Sequence, residues 1–116
     1  MNSYIFSFGY EDDNERAANA RVGTDYESCA ALFIEAASEE EALAWGRKVA
    51  EAFVRFDTSE ASPTWSPANY AHGIDAPDQW SHCLDFLPRV RVGEYPDFTT
   101  MTTAAYVTWC REHGIQ

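Results

Sequence analysis

The chain has 116 residues, 46% apolar and 15% aromatic, with 19 acids against 8 bases and a net charge of −11. That length fits a single α+β domain spanning residues 1–116, able to bury about two-thirds of its unfolded surface without disulfide or metal. The apolar content excludes disorder, and the charge repels nucleic acid and anionic membranes, whose binding needs clustered Lys and Arg.

Residues 1–6 show no basic stretch followed by an apolar run, and no apolar segment reaches the roughly 20 residues of a membrane span. Cys29, Cys83 and Cys110 are odd in number and widely spaced, which suggests no disulfide framework. A reduced, cytoplasmic protein is therefore expected.

Residues 3–10 alternate strictly, with Tyr4, Phe6, Phe8 and Tyr10 on one face, and predict a strand. The acidic run Glu11-Asp12-Asp13-Asn14-Glu15 opens a polar connector over 11–28, with at most a helical turn at Ala17 and Ala18 and a turn at residues 23–25. Cys29 to Ala37 is apolar on both faces apart from Glu35, as in a central strand. Ser38 and Glu41 then form a capping-box pattern, followed by Ala42, Trp45, Val49, Phe53 and Phe56 at spacings of three and four. A helix over 39–56 follows, with Glu51 poised to pair with Arg47 and Arg55, and with Gly46 allowing close approach to the sheet.

Residues 57–67 read as a loop, and residues 69–74 as a short strand. Asp75 and Pro77 suggest the N-cap and first turn of a short helix reaching about Leu84. Leu87 to Tyr95 alternates Val90 and Val92 against Arg89 and Arg91, a half-exposed strand. Residues 100–113 predict a last helix, ended by Gly114. The pattern implies a small, mostly antiparallel sheet of three or four strands with the two longer helices on one face. A variant of the ferredoxin-like arrangement is one candidate.

Chemical motifs are sparse. No phosphate-binding glycine loop, Gly-x-Ser-x-Gly elbow or His-Glu-x-x-His is present. No catalytic residue and no cofactor is assigned, and the chain is read as a non-enzyme. Two alternatives are weighed: a metal site from His82, Cys83, Cys110 and His113, and a Cys–His nucleophile from Cys83 or Cys29 with His72. Adjacent residues rarely coordinate one ion, and nothing in the sequence brings a cysteine to His72.

In size, acidity and lack of catalytic signature, the chain resembles small bacterial and phage inhibitors, namely immunity proteins and anti-defence proteins such as anti-CRISPRs. That resemblance rests on no defined motif. It implies an interaction protein that inhibits a basic partner, a nuclease-type toxin or another nucleic-acid-binding protein, with carboxylates standing in for phosphates. Acids concentrate in residues 1–60, which carry 13 against 5 bases, chiefly at 11–15, 25–27 and 39–41. The candidate partner-binding residues are Asp12, Asp13, Glu15, Trp65, Tyr70, His72 and Trp80, because Trp and Tyr dominate binding hot spots. The alternative is a small-molecule pocket near Tyr70 and His72, with a homodimer as one way of forming it.

Overall fold

In a computed structural model, residues 1–24, 27–58 and 65–114 are described. The expected turn at 23–25, the acidic stretch 25–27 and the loop 57–67 therefore lie partly outside the described residues. The elements are β1 (Asn2–Tyr10), α1 (Asp13–Val22), β2 (Ser28–Ala36), α2 (Glu39–Asp57), β3 (His72–Asp75), β4 (Arg89–Arg91) and α3 (Thr103–Glu112), with 3₁₀ turns at Pro77–Trp80, Leu84–Phe86 and Phe98–Thr100. No helix among the described residues is long and apolar enough to cross a membrane.

The sheet order is β3-β1-β2-β4, with β1 antiparallel to both β2 and β3, and β4 parallel to β2. The small, mostly antiparallel α+β sheet is thus as expected. Because β1 runs against both neighbours, β2 and β3 are parallel with β1 between them, and α2 connects them. That is one split βαβ unit of the ferredoxin-like kind. Among the described residues there is no second such unit, since α1 joins the antiparallel neighbours β1 and β2.

Even-numbered residues of β1 and β2 face α2. Phe6, Phe8, Tyr10, Leu32 and Ile34 pack against Ala42, Val49, Phe53 and Val54. The close approach expected at Gly46 is real: a Cβ there would enter the Phe6 ring. Ser38 caps α2 by accepting from the Glu41 N–H at 3.2 Å. Of the two expected ion pairs, Arg55–Glu51 forms at 2.8 Å, while Arg47 instead donates to His72.

On the opposite face, Ile5, Ala31, Phe33 and Leu87 form a smaller cluster covered by Trp80, Leu84 and Phe86. The expected helix from Asp75 is replaced here by two 3₁₀ turns. Asp75 ends β3 rather than capping a helix, because its carboxylate accepts from Ser7 Oγ at 2.5 Å and Trp80 Nε1 at 2.8 Å. Of the two helices expected on one face, α2 alone packs there. The last helix, α3, buries none of its residues and rests Tyr106 and Trp109 on Phe86, with ring centroids 5.2 and 5.7 Å away.

The connector after β1 contains a full helix where only a turn was expected. Asp12 accepts from the Glu15 N–H at 2.7 Å, Glu15 accepts from the Asp12 N–H at 2.9 Å, and Gly23 closes the helix at φ 71°. This helix buries no residue, so no apolar stripe announces it. Caps and alanines specify it instead.

Candidate functional site

The acidic run Glu11–Glu15 is partly spent on local structure. Besides capping, Glu15 accepts from Ser28 Oγ at 3.0 Å, tying α1 to β2. Glu11 accepts from Asn19 Nδ2 at 2.7 Å and from the Tyr70 hydroxyl at 3.0 Å. The fold adds a carboxylate that sequence proximity could not supply. Asp57, at the end of α2, lies within electrostatic reach of Asp12, Asp13 and Glu15. Partial burial, then repulsion from those three, pushes its carboxyl above the usual aspartate range. Burial likewise pushes the Tyr10 phenol up to about 12, with smaller contributions from Asp57, Asp12 and Glu15 and a partial offset from a hydrogen bond to Thr103.

Next to Asp57 begins a run of rings. Phe56 meets Phe98 at 5.7 Å, Phe98 meets Tyr95 at 6.1 Å, and Tyr95 meets Trp45 at 4.9 Å. Phe56 and Tyr95 are 51% and 53% exposed. Phe53 anchors the ridge by touching Phe98 and Tyr10 at 5.9 and 5.3 Å. The Trp45 indole donates to the Glu94 carbonyl at 2.8 Å, holding the 92–98 segment against α2. Phe56 and Asp57, adjacent at the end of α2, thus bring one end of the aromatic ridge next to the acidic cluster.

The aromatic residues expected to meet a partner are placed differently. Trp65 is a core residue, 3% exposed, donating its indole N–H to the Gly9 carbonyl at 2.9 Å. Tyr70 stacks on Trp65. The His72 ring accepts from Arg47 Nε at Nε2 (3.0 Å) and donates from Nδ1 to the Tyr70 carbonyl (3.1 Å), so both nitrogens are engaged. Trp80 is half-buried over the second face. A hollow of about 440 Å³ borders His72, but it opens on the second face beside Ser7, Cys29 and Trp80, and Tyr70 does not line it. Phe56, Tyr95 and Phe98 escaped the sequence reading. Phe56 reads as the last residue of the apolar stripe of α2, Tyr95 as the end of the strand over 87–95, and Phe98 as part of the break after it.

The weighed metal site does not assemble. Among the described residues, no group of three His, Cys, Asp or Glu could hold an ion. His113 donates to the Trp109 carbonyl at 2.8 Å, and His82 stacks on Trp80. Burial, then Asp75 and Glu15, pushes the Cys29 thiol up, the opposite of nucleophile activation.

No family model matches the chain, and no curated protein or solved structure matches it significantly.

Proposed function

We propose that the protein is a non-enzymatic interaction module that inhibits a basic partner through the surface formed by Phe56, Tyr95 and Phe98 together with Asp12, Asp13 and Asp57. A nuclease-type toxin or another nucleic-acid-binding protein has the required charge, and the binding carboxylates would stand in for phosphates. The observation that carries the reading is the adjacency of exposed rings to an acidic cluster whose charges repel one another. Exposed aromatics supply contact area at low entropic cost and tend to be hot spots. A cationic partner would relieve the repulsion around Asp57 and speed association at low salt.

A pull-down with immobilised protein is expected to recover a basic protein whose retention falls steeply as salt rises. Phe56→Glu is expected to abolish that retention while leaving the melting temperature close to that of the parent, and Asp13→Lys is expected to abolish it as well. Recovery of a partner that is insensitive to salt and to both variants sinks the reading.

A further inference from the structure

The second face of the sheet carries a partly open cavity of about 440 Å³. Its floor is the outward side of β2, where Cys29 and Ala31 are too small to reach the covering segments. Trp80, Cys83, Phe86 and Tyr106 line it, with Phe86 and Tyr106 in edge contact with each other. The rings are held from behind. Trp80 is fixed by its indole bond to Asp75, Phe86 by its edge contact with Tyr106, and Tyr106 by a hydroxyl contact with Cys110. Cys83 is 1% exposed, so the cavity reaches into the interior, whereas Cys29 is exposed at its mouth. A larger hollow of about 580 Å³ lies outside α3, but it is more open, and four threonines, Asp85 and Glu112 make much of its lining polar.

A tight core closes gaps of this size, because an empty void forfeits dispersion contacts on every side. Ligand pockets fall in the range of roughly 300–1,000 Å³, mainly apolar with a few polar groups. Three rings around one space favour stacked or edge-on contact with another ring. The net charge of −11 disfavours an anion, and aromatic walls tolerate a cation.

We propose that this cavity is a binding site for a planar aromatic molecule of two or three fused rings, neutral or cationic, inserted among Trp80, Phe86 and Tyr106 with Cys29 at the mouth. The site lies on the other face of the sheet from the partner surface and does not depend on it. Binding is noncovalent, through contact with the lining rings.

Titrating the full chain with 1-aminoanthracene, a neutral three-ring fluorophore, is expected to give saturable one-to-one binding with a dissociation constant on the order of 10 µM. Cys29→Trp fills the mouth and is expected to weaken binding about tenfold or more, or 1.4 kcal/mol per decade. Phe56→Glu, remote from the cavity, is expected to leave it unchanged. The bound probe is also expected to slow alkylation of Cys29 by iodoacetamide without slowing that of Cys110, read peptide by peptide in mass spectra. This second readout uses the parent protein and holds even if Cys29→Trp does not fold. Absence of saturation, undiminished binding by a folded Cys29→Trp, or equal effects on both cysteines overturns the site.

Discussion

One face of the sheet is covered by a 19-residue helix that lays Val49, Phe53 and Val54 on the rings and aliphatics of β1 and β2. The other is covered by two 3₁₀ turns and a ten-residue helix that buries nothing. The first arrangement fills its space, because a long amphipathic helix presents a continuous stripe that can interdigitate with a strand face. The second leaves a cavity, because single turns present no continuous apolar stripe that could follow the pleat of the strands. One face carries stability, while the other leaves room for a ligand.

The largest test of this contrast is truncation on each side. Phe53→Ala is expected to cost about 3–5 kcal/mol in urea denaturation, and Leu87→Ala about 2 kcal/mol, near the low end for a leucine beside existing free space. Equal costs would show the two faces to be packed alike. Gly46→Val is expected to destabilise by about 3 kcal/mol, since its side chain would collide with Phe6. A gain in stability, as helix propensity alone would give, would show that α2 can lift from the sheet. Asp12→Ala is expected to cost about 1 kcal/mol through loss of the α1 cap, measured by thermal melting. No loss would free that carboxylate for a partner alone.

The gentlest probe is pH, and it compares one tyrosine from each side. Tyr10 and Tyr106 are both pushed up to about 12, Tyr10 first by burial and Tyr106 first by its hydrogen bond with Cys110. A folded value above the unfolded 10 means that the folded state holds its proton longer. The stabilisation is therefore fully present below pH about 10 and is lost as pH rises from about 10 towards 12. Cys110→Ala is expected to bring the Tyr106 transition down in an ultraviolet titration while leaving that of Tyr10 in place. A shift of both would mean that the two faces communicate.

The elements legible in the sequence were those with a strong period. The alternation Tyr4, Phe6, Phe8, Tyr10 marked β1, and the stripe from Ala42 to Phe53 marked α2, down to the close approach at Gly46. Helix α1 was missed because its evidence is a cap rather than a stripe. Asp12-x-x-Glu15 has the same spacing as Ser38-x-x-Glu41, but only alanines and Val22 follow it, with no stripe of large apolar side chains. Asp75 was misread because an aspartate before a proline suits an N-cap, and only the pairing of β1 with β3 sets it beside Ser7. Trp65 reads as a partner contact in a Pro-punctuated connection, yet the Gly9 carbonyl gives its indole a partner inside the core.

The sequence by itself determined the α+β class, the acidity and the packed face, because period and charge are local properties of the chain. Only the tertiary structure decided which acids and rings share a surface. Asp57 comes within electrostatic reach of Asp12 and Asp13, and Phe56 meets Phe98, across 40 residues or more of chain. The cavity under Trp80 and Tyr106 was also decided there, since a void is set by what fails to meet, and no residue pattern records it.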